Sequence, residues 1–249
     1  MKRSYLPLLM TAVFAICIAV GESVHAGSAD APTSSPAAVK GVVKFEGNVT
    51  KPKHIEMSAD PQCAKAHPGG ATIEEVITDG SGDLENVVVY VADGLGDRTF
   101  APPEKPAVIE QKGCLYQPHV VTMQANQKLE VVNDDPTTHN IHPMPKNNRE
   151  WNKSQPPGVP IEETFAREEV AIPVKCNVHP WMRSDIAVVK NPYFAVTGKN
   201  GSFELPNLPP GTYTIEAWHE KLGTQTQKIT VGPSETKTVN FVFKSLPGY

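Results

Sequence analysis

Apolar and polar residues alternate in short runs along this chain, and turn residues separate the runs. Val39 to Glu46 (VKGVVKFE) alternates with a period of two, and Gly47-Asn48 ends it in a turn. Leu84 to Val91 (LENVVVYV) reads as a strand after the turn signal Asp79-Gly80-Ser81-Gly82. Short strands are predicted at Ala107 to Glu110, His119 to Met123 and Lys128 to Asn133. Asp134 to Pro160 is a long polar loop rich in proline, and Glu168 to Cys176 and Asp185 to Val189 are strands beyond it. Five more strands are predicted at Tyr193 to Thr197, Ser202 to Leu205, Thr212 to Trp218, Gln227 to Val231 and Lys237 to Phe243. Their turns contain Lys199-Asn200-Gly201, Pro209-Pro210-Gly211 and Gly232-Pro233-Ser234. The segment Lys53 to Thr78 reads as irregular. Many short strands at this spacing specify an all-β fold of sandwiches rather than βαβ units. The 24 prolines count against long helices.

The N-terminus reads as an address. Lys2 and Arg3 precede the apolar run Leu6 to Val20, which has signal-peptide length and is short for a bilayer span. Val24-His25-Ala26 fits a cleavage site, which assigns 1–26 to a signal peptide, with an uncleaved anchor as the alternative. Cys17 follows bulky Ile16 and does not fit a lipidation site. Residues 27–38 (GSADAPTSSPAA) read as a disordered linker. The mature chain is expected to be periplasmic or secreted, with no stable membrane span. Loss of Lys2, Arg3 and Glu22 takes the formal charge from −4 to −5. Such mild acidity argues against nucleic acid as a partner, because phosphate binding needs clustered Lys and Arg. About 220 residues remain, room for one large or two ordinary β domains.

The chemistry concentrates in two stretches. Val174 to Met182 (VKCNVHPWM) puts a thiol, an imidazole and a thioether at Cys176, His179 and Met182. Asn133 to Met144 (NDDPTTHNIHPM) adds a second imidazole at His139. One Cys and two His with a weak Met form the donor set of a mononuclear blue-copper site. The residues therefore favour an exported copper protein that moves single electrons. Zinc is the next metal, but a thioether is a poor zinc ligand. The bland alternative is a chance pairing of a buried thiol with a surface imidazole; Met182 in phase and His139-Asn140 upstream count against it. Once Cys17 leaves with the leader, Cys63, Cys114 and Cys176 remain. If metal holds Cys176 as thiolate, Cys63 and Cys114 can pair as a disulfide in an oxidising compartment. A pairing of Cys176 with either of them stays open, and would abolish the site.

From about Ala107 to Lys190 the chain resembles the cupredoxins, the Greek-key blue-copper β-sandwiches. The likeness runs through Cys114-Leu115-Tyr116-Gln117-Pro118, Leu129 to Asn133, His139-Asn140 and Cys176-x2-His179-x2-Met182. The short final loop is most similar to that of amicyanin and is otherwise plastocyanin-like. This resemblance implies one type 1 copper held by His139, Cys176, His179 and Met182. It also implies that Asn140 ties the two ligand loops together, and that the partner is a c-type cytochrome or a periplasmic dehydrogenase. A second resemblance, to carboxypeptidase regulatory-like (transthyretin-like) sandwiches, rests on Gly198-Lys199-Asn200-Gly201-Ser202-Phe203 and Leu208 to Tyr213. Gly41-Val42-Val43 and Val87 to Tyr90 match earlier strands of that family. The expected organisation is 39–100 and 191–249 as two parts of this sandwich, with the copper domain, 101–190, inserted between them.

Electron transfer predicts that His179 presents an imidazole edge to solvent, with Pro180 and Trp181 as a small apolar docking patch. Trp181 reads equally well as a loop plug. Copper storage or delivery is the alternative from a binding class. A glycan-binding or structural module, using Tyr193, Tyr213 and Trp218, is the third. Catalysis is disfavoured, because four protein donors leave no open position. His142 is expected at the rim, His119 packed or solvated, and His219 exposed at a strand end.

Overall fold

The computed structural model describes every residue from Ser35 to Ser245 except 50 and 74. The expected signal peptide, and the linker up to residue 34, lie outside the described residues. Among the described residues, no helix is long and apolar enough to cross a membrane. The described residues are all-β apart from one six-residue helix. In order it runs β1 (Ala37–Glu46), β2 (Lys53–Ile55), α1 (Pro61–Ala66), β3 (Ala71–Ile73) and β4 (Val88–Asp93). Then come β5 (Ala107–Gln111), β6 (Tyr116–Gln117), β7 (Val120–Gln124), β8 (Lys128–Asn133) and β9 (His139–Pro143). These are followed by β10 (Lys153–Gln155), β11 (Ile161–Thr164), β12 (Glu169–Lys175) and β13 (Arg183–Val189). The last group is β14 (Phe194–Val196), β15 (Ser202–Leu208), β16 (Gly211–His219), β17 (Gly223–Val231), β18 (Thr236–Thr238) and β19 (Phe241–Lys244).

Both ends of the chain build one sandwich. β1 pairs antiparallel with β15 and parallel with β18 and then β19. The facing sheet has the order β14-β4-β16-β17. At Gly41 the link between β18 and β19 passes so close that a Cβ would lie 1.6 Å from the Val239 carbonyl oxygen, so only glycine fits there. Val39, Val43, Phe203, Leu205, Ile215 and Phe241 fill the core between the two sheets. Residues 107–189 build a second sandwich from sheets β10-β9-β12-β13-β7 and β11-β8-β5-β6. Its core includes Ile109, Leu129, Val131, Ile141, Ile172 and Ile186.

A third apolar layer joins the sandwiches. Val88 and Tyr90 of β4, Trp218 of β16, Val120 of β7, and Ala187 and Val189 of β13 pack as one cluster. β4 and β13 are thus buried on both faces. Val89 and Val91 point into the first core, and Ile186 and Val188 into the second, while their neighbours face the joint. This explains why Val88–Val91 and Ile186–Val189 are unbroken apolar runs instead of alternating ones. Each such side chain contributes about 1.5–3 kcal/mol through burial.

Three segments depart from the sequence expectation. Lys53 to Thr78 is not irregular: β2 and β3 pair with each other, and α1 lies between them. Asp134 to Pro160 is not all loop, because it carries β9 and β10. The linker expected to extend to Ala38 gives way to β1 at Ala37.

Candidate metal centre

The two ligand stretches meet because β9 and β12 are neighbours. His139 is the first residue of β9, Cys176 follows the last residue of β12, and Met182 immediately precedes β13. β12 and β13 pair antiparallel up to Lys175 and Arg183, so 176–182 is a closed hairpin loop. The Cys176 N–H donates to the Met182 carbonyl (3.2 Å), and the Met182 N–H to that of His179 (2.9 Å).

The donor atoms of His139, Cys176 and His179 all lie within 4.8 Å of one another, and all three residues are buried. His139 Nδ1 sits 2.9 Å from His179 Nδ1, and Cys176 Sγ sits 3.7 Å from the same nitrogen. These are separations of donors that can share one ion at ordinary metal–nitrogen and metal–sulfur bond lengths. The donor set fits a soft or borderline metal. Met182 is fully buried in the same core cluster as Cys176. Asn140 bridges the two loops: its Oδ1 accepts from the Asn177 N–H (2.7 Å) and lies 3.3 Å from Cys176 Sγ. Its Nδ2 donates to Asn152 Oδ1 (2.8 Å).

Electrostatics prepare the thiol. Burial would raise Cys176, yet His139 and nearby backbone N–H groups bring it down to about 6. Burial would likewise lower His139, but the Asp135 hydrogen bond and the Cys176 sulfur lift it to about 9. A thiolate and a protonated His139 ring are thus held together beside the His179 ring in a buried pocket.

Two carboxylates that the sequence did not mark complete the site. Asp135 accepts from His139 Nε2 (2.8 Å) and from the N–H groups of Gly113 (2.6 Å) and Cys114 (2.7 Å). Asp60 Oδ2 lies 3.1 Å from His179 Nε2 and accepts from the Thr137 hydroxyl (3.2 Å). Burial opposes ionisation of both, but these partners hold both below the usual carboxylate range. The dipeptide Asp60-Pro61 is a helix-start signature that could have located α1. Nothing local ties it to His179, 119 positions away.

The surroundings correct several expectations. His179 does not present an edge to solvent: it is 2 % exposed, with Asp60 on its Nε2 and the Trp181 ring 5.1 Å away. Pro180 is exposed and Trp181 half-buried, with the indole N–H donating to the Cys114 carbonyl (3.0 Å). Cys63 and Cys114 form a disulfide, and Cys176 is free. His142 bonds Glu150 (2.6 Å) and Asn177 (3.2 Å) at the outer side of the loops. His119 is paired with Glu220 (2.7 Å). His219 is not exposed: it is 1 % accessible, and burial pushes it down to about 4.

The chain is similar to several solved copper proteins. The match to the copper-containing nitrite reductase of Thermus scotoductus SA-01 has 19% identity and TM-score 0.33, covering 41% of this chain and 25% of that one. This chain therefore spans about a quarter of the reductase's length. A purple cupredoxin from Nitrosopumilus maritimus matches at 23% identity and TM-score 0.29, over 33% of this chain and 98% of the cupredoxin. A point mutant of amicyanin, in its reduced state, matches at 16% identity and TM-score 0.31, over 40% of this chain and 97% of amicyanin. No curated protein matches the chain. Residues 184–244, from β13 to β19, match the family model of the carboxypeptidase regulatory-like domain.

Proposed function

We propose that this chain is an exported copper protein that binds one type 1 copper and passes single electrons between periplasmic redox partners. His139, Cys176 and His179 would hold the metal, with Met182 as the weak fourth donor. The observation that carries this reading is the convergence of two imidazole Nδ1 atoms and one acidified thiol, all buried, within 4.8 Å. When bound, the copper supplies the one-electron couple. The chain supplies a rigid frame that suits both oxidation states: β9 and β12 fix two ligands, Pro180 stiffens the loop, and Asn140 locks the loops to each other. A c-type cytochrome or a periplasmic dehydrogenase is the partner class, docking over Pro180 and Trp181. We place the copper sandwich, 101–190, as an insertion between 39–100 and 191–249. The test is to load the apoprotein with Cu(II). An intense thiolate-to-copper visible band that bleaches on one-electron reduction is required, and its absence sinks the reading.

One observation favours copper storage or delivery as a second reading, namely the burial of His179 beneath Asp60 and Trp181. Slow electron self-exchange together with transfer of copper to an acceptor protein would select it.

A further inference from the structure

We propose that Asp60 is a positioning residue of the copper centre, one carboxylate whose two oxygens do separate jobs. The inference rests on the copper reading above. Oδ1 folds the segment: it caps α1 by accepting from the N–H groups of Gln62 (2.8 Å) and Cys63 (3.3 Å). Oδ2 faces the other way, to His179 Nε2 and Thr137. An imidazole that donates its Nε2 proton to a carboxylate keeps its Nδ1 lone pair free, and that is the atom turned toward His139 and Cys176. Asp135 holds His139 in the same sense from the other side. Each donor ring is therefore oriented by its own carboxylate, and with metal in place each would keep Nε2–H on that carboxylate and offer Nδ1.

Asp60 differs from Asp135 in where it comes from. Asp135 belongs to the loop before β9, whereas Asp60 arrives on the β2-α1-β3 segment, which pairs with neither sheet of the copper sandwich. That segment is fastened down beside the centre by the Cys63–Cys114 disulfide and by His67 Nε2 donating to the Gly113 carbonyl (2.6 Å). The fastening aims the carboxylate at His179 and covers the ring edge. Asp60 thereby both sets the ring and adds a negative charge close to the metal, which favours Cu(II) over Cu(I).

The experiment compares wild type, Asp60→Asn and Asp60→Ser in the full chain. Asn and Ser are both good helix caps, so α1 keeps its start while the anionic acceptor is lost. The expected result is a Cu(II) affinity about tenfold lower, the usual loss for an outer-shell partner, with Cu(I) affinity changed less. A tenfold change in that ratio raises the reduction potential by about 59 mV. Copper-loaded variants whose potential equals that of wild type overturn the role of Asp60 and leave the copper reading standing. A wild type that takes up no copper overturns both. Should neither variant fold, the imidazole proton spectrum of the wild-type apoprotein decides. A slowly exchanging His179 proton on Nε2 supports the proposal, and a proton on Nδ1 or a rapidly exchanging one overturns it.

Discussion

At the end of the inner sandwich, His139 and His179 each keep one ring nitrogen on a carboxylate and turn the other toward Cys176. At the joint between the sandwiches, His119, Asp185 and Glu220 gather just as closely, with ligand atoms within 4.8 Å of one another. The residue types overlap, but the arrangements differ. In the first cluster the carboxylates stand apart, one per ring, and a soft donor fills the middle. In the second, two carboxylates crowd one imidazole and no sulfur is present. Burial and the nearness of Glu220 push Asp185 up to about 7. Burial would lower His119, but its bond to Glu220 raises it. The first arrangement converges one sulfur and two ring nitrogens. The second collects protons, and works as a joint between β7, β13 and the turn after β16.

The sharpest break in this contrast is Cys176→Ser. It should abolish the visible band and reduce Cu(II) affinity by more than the roughly hundredfold limit of an outer-shell change, measured by calorimetric titration. The same substitution at the joint has no counterpart, because no sulfur is there to remove.

Next in size is Asp135→Ala, which strands the His139 Nε2–H and two backbone N–H groups. A cost of about 3–5 kcal/mol is expected in urea unfolding of the apoprotein. An unchanged midpoint would mean that the pocket is solvated and the contrast overdrawn.

His219 sharpens the joint side. Its folded value, about 4, lies below the unfolded value near 6.5. The unfolded chain therefore takes the proton first, and stability is lost as pH falls from 6.5 towards 4. Asn in its place can still accept the Lys221 N–H and should recover about 2–3 kcal/mol of acid stability. Thermal midpoints measured across that window would reveal it.

Asp185→Asn is the smallest effect and has the opposite slope. A carboxyl whose folded value is raised favours the folded state when protonated, so its stability contribution is present at low pH and lost as pH rises through about 7. His119, also raised, works in the same direction. The Asn variant should therefore gain on wild type as pH rises from about 4 to 7, be more stable above pH 7 by about 1–2 kcal/mol, and be indistinguishable only near pH 3.

The fold class was legible because its signals are local. Period-two alternation in Val39 to Glu46 and glycine turns such as Asp79 to Gly82 need no tertiary information. The two-sided burial of β4 and β13 was not read from the sequence, because the apolar residues of these strands do not say what covers the second face. α1 escaped because six residues are too few to show a helical period, although Asp60-Pro61 marked its start. At the site, the donors sit in two short motifs and could be named from spacing. Their carboxylates could not. Asp135, in Asp134-Asp135-Pro136, reads as an ordinary turn residue, and Asp60 meets His179 only through the way α1 is fastened. His219 was misjudged for a related reason. A strand end is normally wet, and here the ring is buried, 6.4 Å from the Phe243 ring of β19.

The hydrogen bond from the Val42 N–H to Asn240 Oδ1 spans 198 positions, and it has a consequence for biosynthesis. A nascent chain releases β1 and β4 long before their partners among β14 to β19 exist, so those early strands must wait with their edges open. The sandwich of residues 107–189, whose strands are contiguous, can be finished in the meantime. The order of manufacture thus runs from the inside out, with the donor pocket assembled before the outer sandwich shuts.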